Sequence, residues 1–413
     1  MTETDLRQEE YLQRVRVSAL RREVFGQSDP SASAELLDTL QAAETELSRL
    51  EEAAWAGRDT DPDGAPDDGM PRGDHMVTRQ GVAEVRGVGT TGLDARTSLH
   101  MAQVPTSIYH LFTRETNPLV SCTIRNVAGR VRRLRIVSFL EGYSARAVDT
   151  VEFVGKVTVT QLPTLFPDRL REVTELTSAT LNVLVEDLDN GKVELHSTQS
   201  VPLLARTTAP LTVRDPSTGR WNDMTRVLGA FVTPNAPAVM SFLREVADHH
   251  PKHILTGYQV SEEDVQAQVE AIFAALKARD IIYVNSVIAF SPEEGTATQR
   301  VRLPRESLAD REANCIDGTV LVASVLEALS LNPAIVVIPG HALVGWETWS
   351  GSNRWRYLET TMIGSHTFAE ACAAAEEMAR RYQWIDEETG IEPRFRRWEL
   401  RRLRTKEGLT PME

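Results

Sequence analysis

Three side chains in this sequence carry the groups a covalent catalyst needs: the thiol of Cys315, the imidazole of His341 and the carboxyl of Glu359. Cys315 stands where a helix should begin. Ile316, Val320, Ala323, Leu326 and Leu329 follow it at helical spacing and form one apolar face. Asn332-Pro333 is expected to end that helix, because proline cannot continue it and restricts the residue before it. Ile335, Val336, Val337 and Ile338 are consecutive and β-branched, which predicts a strand buried on both faces. Pro339-Gly340 reads as a turn. His341 then opens a strand over residues 341–347, and a third strand over 355–358 is followed by Glu359.

This order suits thiol chemistry. An ordinary thiol is mostly protonated at neutral pH, and the unpaired N–H groups at a helix start favour the thiolate. A neighbouring imidazole completes the activation and later returns a proton to the leaving group. The imidazole needs a partner on its other nitrogen to fix the tautomer. If the strands before and after the 348–354 loop pair antiparallel, His341 and Glu359 can face the same side of a sheet. Glu347 and Thr360 are rivals of Glu359 for that role. A developing oxyanion needs donors. The backbone N–H of Cys315 is the first candidate and the side-chain amide of Gln299 the second. Asp317 falls in the first helical turn, where it complements the macrodipole; aimed at Cys315, its charge would oppose thiolate formation.

At these residues the sequence resembles the transglutaminase-like cysteine hydrolase superfamily, over roughly residues 260–382. The matching pieces are QRVRLPRESL, then NCID before a helix, then PGHALVGW, then a strand ending in YLETT. The resemblance implies that Cys315 is the nucleophile, His341 the base and Glu359 the acid that orients it. Two departures are visible: Ala313 stands where many members have Gly, and Glu359 where many have Asp. The combination of NCID with PGHA is similar to bacterial versions of the domain, which are typically joined to other modules.

The remainder of the chain must position this segment. A length of 413 residues predicts two or three domains. Hydrophobic content of 41% and charged content of 25% are those of an ordinary globular chain. A net charge of −14 argues against a nucleic-acid partner. The opening MTETDLRQEE has no apolar core, so no signal peptide is expected, and no run is long enough to cross a bilayer. The three cysteines, Cys122, Cys315 and Cys372, are scattered. They fit neither a disulfide framework nor a zinc site, and they point to a reducing, cytoplasmic setting.

Residues 1–55 read as two helices. The second has Leu36, Leu40, Ala43, Leu47 and Leu50 on a short heptad seam, with Ser31 or Ser33 as cap. A helical hairpin is expected, with docking of a partner as the sharper alternative. Residues 56–75 are dense in Asp, Gly and Pro and read as a flexible linker, not as a calcium loop. Residues 76–210 carry short Val-, Ile-, Leu- and Thr-rich runs between turn signals. They predict an antiparallel β-sandwich, with Cys122 packed inside. The sandwich holds no acid, base or nucleophile set, so positioning or partner recognition is its expected work.

Residues 211–259 form a bridge with a helix near 237–249, capped by Asn235. His249, His250 and His253 crowd its end and read as a solvated terminus in preference to a metal site. The catalytic-type domain spans 260–413. Ser261 and Asp264 resemble a capping box ahead of an amphipathic helix. Residues 281–290 read as extended, and RESLAD as a short helix. Trp346, Trp349 and Trp355 read as core or cleft walls, and Cys372 as structural. The basic segment 394–404 reads as an exposed stretch neutralising acidic surface of the same chain.

The expected fold is α+β: a transglutaminase-like (papain-like) domain after an antiparallel β-sandwich and N-terminal helices. The expected function is thiol-dependent acyl transfer on a protein or peptide substrate, with peptide hydrolysis first. The resemblance adds a setting in a bacterial regulatory or defence system. Cross-linking or deamidation by the same site, and an inactive domain kept as a binding scaffold, are the alternatives. No cofactor, no metal, no membrane and no nucleic acid are called for; a partner protein could dock through the N-terminal helices or the sandwich.

Overall fold

Short strands, many with alternating apolar residues, build the described chain from residue 84 to residue 214. In the computed structural model, residues 84–88, 92–214, 221–284, 297–389 and 394–412 are described, with isolated helical positions between residues 39 and 49. The linker at 56–75 and most of the N-terminal helices lie outside the described residues. Ala43, on the expected heptad seam, is helical and buried. The chain divides into two units, Met1–Thr78 and Arg79–Glu413.

In the second unit, strands β1 (Glu84–Val88), β2 (Leu93–Leu99), β3 (Val120–Asn126) and β6 (Lys156–Gln161) form one antiparallel sheet in the order β1-β2-β3-β6. Strands β5 (Ala147–Phe153), β4 (Arg132–Leu140), β7 (Thr177–Asp187) and β8 (Lys192–Leu203) form the other, in the order β5-β4-β7-β8. The run VEFVGKVTVTQL therefore contributes to both sheets. It breaks at Gly155, whose φ of 81° an L side chain rarely adopts. Leu93, Cys122, Ile124 and Val159 from one sheet pack with Leu134, Ile136 and Val185 from the other in a single apolar cluster. Each such side chain contributes about 1.5–3 kcal/mol on burial. Inside this layer Arg132 is fully buried, paired with Asp187 and within 3.6 Å of Glu194.

A second sheet-and-helix body follows. Its sheet has the order Trp355–Leu358, His341–Glu347, Pro333–Ile338, Arg396–Glu399, antiparallel throughout. Helices lie on both faces. The helix Cys315–Ala328 shares a cluster with Ile335, Val344, Trp346 and Leu358. The helix Phe368–Thr389 supplies Ala375 and Ala379 against Val336, Ile338, Leu343 and Tyr357. Alternate residues thus go to opposite layers, which explains why the central strand is apolar at every position. The whole is a mixed α+β chain. No helix among the described residues is long and apolar enough to cross a membrane.

Several expectations change. The helix ends at Ala328, ahead of Pro333, because Ser330 turns the chain with a φ of 59°. The proline opens the next strand, a position that needs no ladder N–H. Ala236, not Asn235, precedes the helix Pro237–His249, with Pro237 at its first turn. The capping box at Ser261 is half made: Ser261 Oγ accepts from the Asp264 N–H at 3.2 Å, while the Asp264 carboxylate takes Lys252, Thr256 and Gln268. His250 is buried, so only His249 and His253 fit a solvated helix end. The basic segment is no exposed stretch. It supplies the fourth strand, Arg396–Glu399, and the helix Leu400–Lys406, and its arginines pair with Asp223, Glu347 and Glu327.

Candidate active site

Cys315 is the first residue of its helix, and the reason is the pair that flanks it. Asn314 Oδ1 accepts from the Asp317 N–H at 2.9 Å, and Asp317 Oδ2 accepts from the Asn314 N–H at 3.1 Å. NCID is therefore a reciprocal cap, built with Asn and Asp in place of Ser/Thr and Glu. Asp317 is fully buried and also accepts from the Arg302 N–H at 2.8 Å and from Arg302 Nη1 at 3.0 Å. Burial pushes the Asp317 carboxyl up, against the pull of Arg302 and the Asn314 N–H. Arg302 holds Glu312 as well, so it ties together the residues on either side of Ala313 and Asn314. The Cys315 carbonyl accepts the Thr319 hydroxyl at 2.8 Å and lies 3.5 Å from that of Thr360.

His341 opens its strand after a two-residue turn in which Gly340 takes a φ of 70°. On the neighbouring strand Leu358 is paired with Val344, and Glu359 is the next residue. Its carboxylate reaches back: His341 Nε2 lies 2.5 Å from Glu359 Oε2. The other oxygen, Oε1, accepts the Thr361 N–H at 2.9 Å and the Thr361 hydroxyl at 2.6 Å. Glu359 is fully buried and also caps the short 3-10 turn Thr360–Met362. That turn comes close to the helix Cys315–Ala328 at Gly318. A Cβ there would meet Thr360 Oγ1 at 2.6 Å, so glycine permits the approach.

The Cys315 side chain lies close enough to His341 to act on the charge of its ring, which stands between the sulfur and the carboxylate. Since Nε2 faces Glu359, Nδ1 is the ring atom left for the thiol. Burial alone lowers the His341 pKa. The Glu359 carboxylate and the Cys315 side chain outweigh it and raise the value from 6.5 to about 10. Burial likewise raises Glu359, but the imidazolium and the Thr361 donors hold its carboxyl below the usual 4.5. The His341 side chain remains 18% exposed and Cys315 is half-buried, so the pair is reachable from solvent. The other two thiols differ. Cys122 and Cys372 are buried, and burial pushes each up to about 12.

Cys315, His341 and Glu359 are thus brought together. Gln299 sits on the short strand Thr298–Arg300, and its amide donates at 2.9 Å to the carbonyl of Arg300. Glu347 is engaged at the far end of the His341 strand with Asn332 at 3.0 Å and the Asn353 N–H at 2.9 Å. About 20 Å of strand separates it from His341. Trp346 is core; Trp349 and Trp355 are half-buried, packed on Tyr258 and Arg397. Sequence reasoning passes over Thr361 and Arg302. The reciprocal cap in NCID was open to it, because the spacing of Asn314 and Asp317 is that of a capping box.

No family model matches the chain, and no curated protein matches it. Among solved structures it is similar to a "putative protease" from Parabacteroides distasonis ATCC 8503, at 10% identity over 68% of this chain and 69% of that one, with a TM-score of 0.22. A likeness that slight carries no argument about fold or reaction.

Proposed function

We propose that the protein is a thiol-dependent acyl-transfer enzyme acting on a protein or peptide substrate, with hydrolysis of the acyl-enzyme as the outcome. The observation that carries this reading is the His341–Glu359 hydrogen bond with the Cys315 side chain beside the same ring, the three groups coming from a helix start, a strand start and a strand end. Such a grouping is what a nucleophile, its base and an orienting acid require.

Cys315 attacks the carbonyl carbon of an amide as the thiolate. The oxyanion is stabilised by the Cys315 backbone N–H at the helix start, with the Gln299 amide, now donating to the Arg300 carbonyl, as the weaker candidate. The His341 imidazolium gives its proton to the departing nitrogen as the C–N bond breaks. Water then attacks the thioester, the neutral ring takes its proton, and the thiolate leaves. Glu359 keeps Nε2 engaged through both steps. The sequence resemblance to transglutaminase-like cysteine hydrolases agrees with this assignment, as does their habit of carrying further modules. The sandwich and the N-terminal helices are the proposed recruiting modules. No observation on the chain favours cross-linking, deamidation or an inactive scaffold over hydrolysis.

The test is to incubate wild-type and Cys315→Ala protein with candidate partner proteins and compare intact masses. Fragments formed only by the wild type are expected. A mass gain between partners indicates cross-linking, a near-unit gain indicates deamidation, and no Cys315-dependent change contradicts enzyme function.

A further inference from the structure

We propose that Thr361 is a positioning residue of this site: its hydroxyl and backbone N–H together lock one oxygen of Glu359, so that the other oxygen stays on the His341 ring. The proposal rests on the reading of Cys315 and His341 as a catalytic pair.

The geometry divides the carboxylate cleanly. Oε1 is given to Thr361 twice, at 2.9 and 2.6 Å, and Oε2 to His341 at 2.5 Å. A glutamate has one more rotatable bond than an aspartate, so its carboxylate plane must be held by something. Thr361 holds it at two points, through groups fixed to one residue of a tight turn. Full burial adds a second need, because a carboxylate out of water must have its lone pairs met to stay ionised. Thr361 gives both its hydroxyl and its N–H to Glu359 and acts through that carboxylate. The competing role is structural: Glu359 also caps the 3-10 turn, and Thr361 is a member of that turn. The two roles separate experimentally. The backbone N–H bond serves the turn and survives substitution, whereas the hydroxyl bond serves only the carboxylate.

The experiment uses the full chain and iodoacetamide, with alkylation of Cys315 followed by peptide mass spectrometry from pH 6 to 10.5, and a thermal melt of each variant. Thr361→Val keeps the shape and the N–H but removes the hydroxyl. It is expected to slow alkylation about tenfold at neutral pH, the factor attached to one hydrogen bond to a charged group. It should also move the alkaline break of the profile about one pH unit toward neutrality, with a cooperative melt at a lower midpoint, since a buried carboxylate oxygen loses one donor. Thr361→Ser keeps the hydroxyl and restores both. A Thr361→Val profile that overlays the wild type, or a serine variant as slow as the valine one, overturns the proposal. If the valine variant does not fold, Thr361→Ala, which cannot clash, is read in the same way. The His341→Ala variant separates the two levels. Slow labelling there beside wild-type-like Thr361→Val defeats only the role of Thr361. Unchanged labelling there defeats the catalytic pair itself.

Discussion

The sandwich and the body that carries Cys315 both bury charge, and they do so to opposite ends. In the sandwich, Arg132 meets Asp187 and Glu194 with no exposed surface on its side chain, and the Cys122 thiol, in the apolar cluster between the sheets, is buried and pushed up to about 12. Asp187 also accepts the Asp189 N–H and the Asn190 amide, so the cluster closes a hairpin turn. In the second body Glu359 is as deeply buried, but its partner is a titratable ring that keeps 18% of its side chain exposed and touches a half-buried thiol. A closed ion pair has its desolvation cost offset by partners inside the chain, so the fold depends on all of them being present. A buried carboxylate aimed at a reachable imidazole, with a half-buried thiol beside it, is the arrangement the proposed chemistry requires.

The contrast is broken most forcefully at Arg132. Arg132→Leu leaves two carboxylates buried without their cation, which should cost about 3–5 kcal/mol. Urea unfolding should record that loss, while Cys315 in the remaining folded protein should alkylate at the wild-type rate. A comparable loss of Cys315 reactivity would mean the two regions are not separable in this way.

The smaller effect is the pH response. The folded pKa of His341 is raised from 6.5 to about 10, so its stabilising contribution is fully present below 6.5 and lost as pH rises through about 10. The folded pKa of Glu359 is depressed, so its contribution is present above 4.5 and lost as pH falls through the folded value. Both act fully between those two ordinary values. Urea unfolding of the wild type should weaken from pH 6.5 toward 10, and His341→Ala should flatten that limb. Equal slopes in the two proteins would remove the coupling between ring and carboxylate.

Much of the second body is legible in the residues. Four consecutive β-branched residues mark the central strand, and the strands His341–Glu347 and Trp355–Leu358 follow from turn residues on either side. Their short connection implies the antiparallel pairing that brings Glu359 back toward His341. The rest is hidden for physical reasons. Strand Arg396–Glu399 reads RRWE, and charge masks its place at a sheet edge, where arginine stems can lie along the sheet and the heads pair with Asp223 and Glu399. Strand β2 alternates Leu93, Ala95 and Thr97 with charged and polar residues, too faint a signal beside the Val-rich runs. The burial of Arg132 cannot be read locally, since its partners lie 55 and 62 residues further along the chain. Thr361 follows Glu359 by only two positions, yet its role depends on a carboxylate rotamer that no pattern of residue types encodes.

The central claim is that His341 governs the chemistry of Cys315. The most direct measurement is the rate of iodoacetamide alkylation at Cys315 in wild-type and His341→Ala protein at neutral pH, with Cys122 and Cys372 as internal references. The account predicts that wild-type Cys315 reacts selectively and that losing the ring slows it on the order of 100-fold, with both buried thiols silent in the folded chain. Equal rates with and without the imidazole, or Cys315 as inert as Cys122, would contradict it.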